Sequence, residues 1–473
     1  MCIVTVNKKN SISCEPGTNL YKLLCDNGYF FQGNCGGNGR CNACNVLITN
    51  KGQFVKSCRY EVTEDIEIYM DIKETNILAD HSVDPGIVKD AIAAGDSKMP
   101  QGYGIAVDIG TTTIAMELIK LSDGSRASVY KTINSQTATG ADVVSRINLA
   151  AEAPGLELLH NMVAEDILKG VDELIKKTGI SDTEISRICF SGNTAMTYIL
   201  VGTGTECLAS YPFKTKKITY HGEDVSDILG HSRTGGVSLS GIPYYIAPEI
   251  SAFVGGDISS GAAALGLYDS KKYRLLIDLG TNGEILLAGR GGGFAVSTAC
   301  GPAFEGAFSG GLYGSTLFDY IDLYRRSGKI DENGIICPEY FDEGLPLTGD
   351  NVLTMDMVHG FLLAKAAIAG GIATLIKEAG VSVSDIENIY ISGGFGFHLD
   401  TDKAIRLGMF PGYFSGKTKI SGNTSLAGSY LMLFRSDITE DIIRNNKKTE
   451  YINLAANEHF NKVFVDSMRL VQI

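Results

Sequence analysis

The sequence predicts two unlike units joined by a linker: a small α+β unit at the amino terminus and a larger, two-lobed α/β unit behind it. Three observations carry this. Four cysteines, Cys35, Cys41, Cys44 and Cys58, gather near the start of the chain. An apolar strand, an Asp-x-Gly-Thr turn and a second strand occur twice, as YGIAVDIGTTTIAMELI from Tyr103 and YRLLIDLGTNGEILLAG from Tyr273. From residue 103 onward strand and helix patterns alternate to the end, the signature of layered α/β structure.

At 473 residues the chain exceeds a single core, and domains of roughly 100–200 residues are the rule. The expected divisions are 1–72, a linker over 73–102 rich in Asp, Ser, Pro, Gly and Ala, a first lobe over 103–250 and a second over 251–473. The net charge of −13 repels phosphate backbones and anionic membranes, and no basic patch is apparent in the sequence, so neither nucleic acid nor membrane is an expected partner. No signal peptide opens the chain. The most apolar stretch, 360–376, contains Lys365 and paired glycines and is expected to be too poor in apolar residues to span a bilayer. A cytoplasmic location follows as an expectation. Eleven cysteines in such a chain point to metal ligation by some and burial of the rest. Cys189, Cys207, Cys300 and Cys337 show no ligand spacing and read as core or loop thiols.

In the first unit, residues 1–6 and 11–15 alternate apolar and polar, and 18–26 has helical spacing with Leu20, Leu23 and Leu24 on one side. Residues 46–48 and 66–70 supply later strands. Strand, strand, helix, cysteine loop and strand is the order of a β-grasp ferredoxin. Cys35, Cys41 and Cys44 are spaced by five and two residues with Gly36, Gly37 and Gly39 between them, which lets backbone fold around a 2Fe–2S cluster. Paired Cys-x-x-Cys knuckles would favour zinc, but one such pair exists. Thirteen residues separate Cys44 from Cys58, a short excursion that makes Cys58 the least secure ligand and Cys25 its alternative. No His lies nearby, so all-thiolate ligation and a potential on the order of −400 mV are expected.

In the second unit, a glycine turn between two strands exposes N–H groups to phosphate, and threonine hydroxyls add donors. Asp108, Gly110, Thr111, Thr112 and Thr113 fit this pattern, as do Asp278, Gly280, Thr281, Asn282, Gly283 and Glu284. Each Asp could hold Mg²⁺ directly or through water. One copy alone would read as an ordinary hairpin; two copies, with the later run Gly393, Gly394, Phe395 and Gly396 after a strand, favour a nucleotide site. An echo, SGNTAM over 191–196 and SGNTSL over 421–426, places Asn-Thr at two helix starts, where simple capping would also explain it. Residues 411–418 are not a Walker A loop, because proline replaces its first glycine.

These elements resemble the superfamily of acetate kinases, sugar kinases, heat-shock ATPases and actin, in which two ribonuclease-H-like lobes clasp ATP. The resemblance implies that the loops at Asp108 and Asp278 hold phosphates, that 393–396 lies beside adenosine, and that small-residue helices over 256–267 and 424–433 pair at a hinge. Glu249 and Asp257 are the acids that could orient an attacking water, with a solvated acid or a helix cap as the plainer reading. The run CGPAFEG over 300–306 resembles a loop of ferredoxin-linked members without an assignable chemistry.

The combination is similar to one family, the reductive activators of corrinoid-dependent enzymes, and the runs 134–148, 191–196 and 247–257 strengthen the match. It implies one-electron reduction of Co(II) to Co(I) in a corrinoid, cobalamin-binding protein of a methyltransferase system, coupled to ATP, with an upstream electron donor. The short linker lacks the extra domain of longer members, which leaves a homodimer open. The rivals are a small-molecule sugar or carboxylate kinase with a redox-regulated ferredoxin domain, and a non-enzymatic iron–sulfur sensor with ATP-gated partner binding. Activation of a radical dehydratase is disfavoured, because a second ligand-spaced cysteine set for a 4Fe–4S cluster is lacking.

Overall fold

A computed structural model describes residues 1–6, 10–27, 44–51, 53–69, 102–140, 142–230, 238–280, 282–300, 314–347, 352–397, 399–435 and 437–473. Cys35, Cys41, Thr281, most of the expected linker and residues 301–306 lie outside that set.

The first unit is a five-stranded sheet packed against the helix Leu20–Asp26. Cys2–Val6 pairs antiparallel with Asn10–Cys14 and parallel with Ile66–Tyr69, which pairs antiparallel with Asn45–Ile48, followed by Gln53–Lys56 at the edge. This is the strand order and mixed sense of a β-grasp sheet. Alternation sends Val4, Val6, Val46, Ile48, Ile66 and Ile68 to one face, where they bury against Leu20 and Leu24. Each fully buried side chain of this size contributes about 1.5–3 kcal/mol, and the period of two decides which face becomes core.

The two Asp-x-Gly-Thr copies open two sheets of one topology. In the first lobe Tyr103–Ile109, Thr113–Lys120 and Arg126–Ile133 form an antiparallel meander, and Ile185–Gly192 and then Tyr244–Ile246 join in parallel on the other side of the first strand. In the second lobe Tyr273–Leu279, Asn282–Gly289 and Gly292–Ala299 form the meander, and Ile386–Ser392 and Thr418–Gly422 add in parallel. Both lobes read third, second, first, fourth, fifth. The central strands are near-continuous apolar runs because helices cover both faces.

The helices that follow each fifth strand cross over. Gly256–Ala264, which leaves the first lobe, buries Ile258 and Ala262 against Leu276, Leu286 and Ala295 of the second lobe's sheet. Thr424–Met432, which leaves the second, buries Leu426, Tyr430 and Leu431 against Ala106, Ala115 and Ile119 of the first. The two helices touch through small residues: a Cβ on Gly428 would stand 2.3 Å from Ser260 Cβ, and one on Gly261 would stand 3.0 Å from Thr424 Cβ. Gly428→Ala is therefore expected to lower stability by about 1–3 kcal/mol, read as a lower melting temperature of the large unit. An unchanged melt would show that the hinge is looser than this packing.

The expectation that 360–376 is too poor in apolar residues for a membrane span needs correction. The helix Met355–Glu378 is long and apolar enough, yet 72% of its most apolar window is buried inside the protein. It lines the second lobe's core with Phe361, Leu362, Ile368, Ile372 and Leu375. Lys365, buried within it, donates to the carbonyls of Gly408 (3.1 Å) and Arg469 (2.5 Å). Burial pushes its pKa down to about 7.

Candidate functional site

The two turns predicted from the repeat face one another across the lobes. In the first, Gly110 N–H closes on the Thr113 carbonyl (2.9 Å), and a Cβ on Gly110 would stand 2.7 Å from that oxygen. In the second, Gly280 N–H closes on the Asn282 carbonyl (3.0 Å). The aspartates stand at equivalent register positions: Asp108 lies opposite Ser191 and Asp278 opposite Ser392, in each case across the parallel pair of first and fourth strands.

The chemistry at those positions breaks the symmetry. Ser392 Oγ donates to Asp278 Oδ2 (2.6 Å) within one lobe. Asp108 is held from the other lobe, by Asn423 Nδ2 on Oδ2 (2.8 Å) and Ser425 Oγ on Oδ1 (2.6 Å). Ser425 Oγ also lies 3.0 Å from Ser191 Oγ, which lies 2.9 Å from Ser260 Oγ on the crossing helix. A chain of hydroxyls thus ties the first lobe's aspartate to both hinge helices.

The repeated Asn-Thr pairs do two jobs. Asn193 Oδ1 caps its helix by accepting from Met196 N–H (2.9 Å), and Asn423 Oδ1 accepts from Leu426 N–H (2.8 Å), as N-caps do. Their amide nitrogens turn to the site: Asn193 Nδ2 donates to Thr111 Oγ1 (3.1 Å), as Asn423 does to Asp108. Asn134 braces the first turn, its backbone N–H on the Thr112 carbonyl and its Nδ2 on the Gly110 carbonyl, both at 2.9 Å. Asn134, Asn193, Ser392, Asn423 and Ser425 escaped the sequence reading as site residues, although the SGNT echo already marked two of them.

Asp257 and Glu284 join the two aspartates. Asp257 occupies the first turn of the crossing helix, with the Ile258 N–H on its Oδ1 (2.9 Å). Burial, then Asp278 and Asp108, push its pKa up to about 7. Burial pushes Asp108 up to about 6 against the hydrogen bonds from Ser425 and Asn423, with Asp278 adding to the rise. Asp278 is raised by burial. Glu284, 9% exposed, is held well above the usual carboxylate range by burial, Asp257 and Asp278. Among the described residues no basic side chain is among the main groups acting on these four, and like charges that resist ionising together attract a divalent cation. Among the described residues no three His, Cys, Asp or Glu side chains converge closely enough to hold one ion by direct ligation. The donor set fits Mg²⁺ held largely through water and nucleotide phosphates, the usual arrangement for that ion.

The remaining predicted residues divide. A Cβ on Gly393 would stand 2.8 Å from Asp278 Oδ1 and 2.4 Å from the Leu279 carbonyl, and its φ is +84°, so glycine is required where this loop presses on the second turn. Gly394 faces open space. Phe395, expected among the nucleotide-binding residues, is 7% exposed and lies beside Phe318 in the second lobe's core, a packing position. Glu249 sits apart from the four carboxylates. It accepts from Tyr220 (2.9 Å) and Tyr198 (3.4 Å), and burial raises its pKa. Lys417 of the rejected Walker-like run donates to the carbonyls of Val383 and Ile386.

In the amino-terminal unit the sulfurs of Cys44 and Cys58 lie 3.2 Å apart. That separation is too long for a disulfide. The hairpin Asn45–Ile48/Gln53–Lys56 sets it: Asn45 pairs with Lys56, and the Ser57 N–H bonds to the Cys44 carbonyl (2.9 Å). Two thiols on one small apolar core suit a shared soft metal centre.

One family model, described as the RACo middle region, matches residues 103–270, and another, the C-terminal ASKHA domain of RACo, matches 272–313 and 309–473. The chain belongs to the RACo family. Among curated relatives it is 26% identical to the corrinoid activation enzyme RamQ of Eubacterium limosum, over 91% of this chain and 92% of that protein. It is 24% identical to the Co(II) methylated amine-specific corrinoid protein reductase of Methanosarcina barkeri, over 77% and 76% respectively. A solved structure of a reductive activator for corrinoid, iron–sulfur protein shares the fold, with TM-score 0.69, 22% identity, and 100% and 99% of the two chains covered. The second of the two family matches places the C-terminal lobe in the ASKHA fold, and the first lobe repeats its sheet topology.

Proposed function

We propose that this chain is an ATP-dependent reductive activator that passes one electron to a Co(II) corrinoid protein, yielding Co(I). The observation that carries the ATP dependence is the carboxylate site built from both lobes, in which Asp108 of one is gripped by Asn423 and Ser425 of the other. Relatives named for corrinoid activation and for Co(II) corrinoid protein reduction support the substrate.

In this reading Gly110, Thr111, Thr112 and Thr113 receive phosphates on one side, and Gly280, Thr281, Asn282 and Gly283 on the other. Gly393, Gly394 and Gly396 leave room for adenosine. Asp108 and Asp278 orient the water shell of Mg²⁺, and Asp257 is the acid placed to orient the attacking water, with a pKa near neutrality suited to proton transfer. Cys35, Cys41, Cys44 and Cys58 would hold a 2Fe–2S cluster, which supplies a one-electron carrier. Because Asp108 is shared between lobes, loss of the γ-phosphate and its cation changes the balance of charge at the joint, and the crossing helices are the elements that can pass this on. Each ~59 mV of adverse potential costs about 1.4 kcal/mol for one electron, so coupling to ATP can reverse the outcome.

Anaerobic mixing of the reduced chain with ATP and a Co(II) corrinoid protein should yield the Co(I) absorption spectrum. Equal yield without ATP would overturn the coupling, and stimulation of turnover by a sugar or carboxylate instead would favour a kinase.

A further inference from the structure

The first lobe carries a surface that the nucleotide site does not use. Tyr211, 84% exposed, meets Phe213 edge to face at 6.2 Å between ring centroids. Phe213 meets Phe253 at 5.2 Å, and Phe253, 41% exposed, stacks on Tyr451 at 5.8 Å and 25°. Phe213 adopts φ +53°, the left-handed region that a bulky residue enters only when its surroundings hold it there. The ladder crosses between lobes, since Tyr451 belongs to the edge strand Thr449–Tyr451 paired with Gly292–Ala299. At its inner end it approaches the carboxylate site: Tyr451 pairs with Ala295, two residues along the strand from Ser297, which pairs with Glu284, and burial and then Glu284 push the Tyr451 phenol up to about 12.

Charge gathers at the outer end. Lys214 and Lys217 are exposed and make no ion pair among the described residues, and Lys216 between them pairs with Glu206. The segment is fixed in place. The Lys216 N–H donates to Tyr198 Oη (2.6 Å), and that hydroxyl lies 2.8 Å from the Lys216 carbonyl. Tyr198 rests in turn on Glu249, whose backbone carbonyl accepts from Asn446 Nδ2 of the other lobe (3.1 Å). Glu249 thus anchors this loop from beneath, a structural role for an acid that the sequence marked only by its place in the run.

Exposed aromatic anchors with two exposed lysines on the same segment, pre-ordered before contact, are the makings of a protein-docking surface. On a chain of net charge −13, a local positive patch favours an acidic partner face and steers its approach. We infer that residues 211–217 with Phe253 form the surface on which an acidic, apolar-centred face of the corrinoid protein docks. The ring ladder carries that contact to Tyr451 on the second lobe's edge strand. The inference rests on the corrinoid reading above and adds where the partner binds and how binding reaches the carboxylates.

The test uses the full-length, cluster-loaded chain and a Co(II) corrinoid protein, with affinity measured at low salt and near 1 M salt. Lys214→Glu with Lys217→Glu should weaken binding at least about tenfold at low salt, and the difference should shrink near 1 M, where screening reaches about 3 Å. Tyr211→Ser with Phe253→Ser should weaken it about tenfold at both salts, as loss of aromatic anchors does. ATP turnover of the chain alone should stay at the wild-type rate in the lysine variant. Wild-type binding that all these variants retain would overturn the docking surface and leave the corrinoid reading standing. Failure of the wild type to bind would overturn both. Loss of polynucleotide binding or of self-association in the variants, with corrinoid-protein affinity unchanged, would also overturn the surface.

Discussion

Asp108→Asn is expected to reduce ATP turnover on the order of 10²–10³-fold, the loss typical when one preorganised electrostatic contact to a reacting centre is removed. Two effects combine. The carboxamide keeps one oxygen to accept from Asn423 Nδ2 but turns an NH2 group toward Ser425 Oγ, which now donates to this side chain and would have to accept instead, redirecting its proton to Ser191 Oγ at 3.0 Å. The negative charge facing the cation is also lost. Because both bonds come from the other lobe, the variant should lose catalysis more than ground-state nucleotide affinity. Phosphate release and nucleotide binding, measured separately, check this. Turnover within about threefold of wild type would show that Asp108 has no part in the reaction.

The second large effect concerns the thiols. Cys58→Ser should abolish the visible absorption and the reduced-state electron paramagnetic resonance signal of an iron–sulfur cluster, with nucleotide binding unchanged. Cys25→Ser should leave the cluster intact. Cys58 stands 3.2 Å from Cys44 across the mouth of a two-stranded hairpin, so replacing one thiol removes half of a pair poised on one centre. Even an outer-shell change costs about 10–100-fold in metal affinity, and loss of a ligand costs more. The opposite result, a cluster retained by the Cys58 variant and lost with Cys25, would move the fourth ligand into the helix Leu20–Asp26.

Much of this site was legible in order along the chain. The twin Asp-x-Gly-Thr turns are local: a strand, a tight glycine turn and a second strand are specified by neighbours, and the structure brings Asp108 and Asp278 near each other although the second turn, closed from Gly280 to Asn282, is one residue shorter than the first, closed from Gly110 to Thr113. The separation of Cys44 and Cys58 in space is a further case. Thirteen intervening residues say little until the hairpin register pairs Asn45 with Lys56 and brings Cys58 back beside Cys44.

Other features could not be read. Nothing near Asp108 in sequence shows that its carboxylate is held by residues more than 300 positions later. The SGNT echo looked like helix capping, and it is; that the same amides reach Thr111 and Asp108 depends on where two helices start relative to two turns. Phe395 lies within a glycine run and reads as part of a ligand loop, yet packing takes it inward. Lys214, Lys216 and Lys217 were lost in a strongly negative total, because net charge averages over a surface that only the fold arranges.

By itself, the sequence determined the parts: a cysteine-bearing β-grasp unit, two Asp-x-Gly-Thr turns between strands, small-residue helices fit for close packing, and a net negative charge. These follow from short-range periodicity, glycine geometry and side-chain chemistry. Only the tertiary structure decided how the parts are shared. It sends each fifth-strand helix onto the opposite sheet, holds Asp108 from the far lobe, sets Glu249 beneath a surface loop and runs four rings from solvent to the second lobe's edge strand. The physical reason is that hydrogen bonds and carboxylate repulsion act over a few ångströms of space, and the chain spans that distance only after hundreds of residues of backbone have returned to the same place.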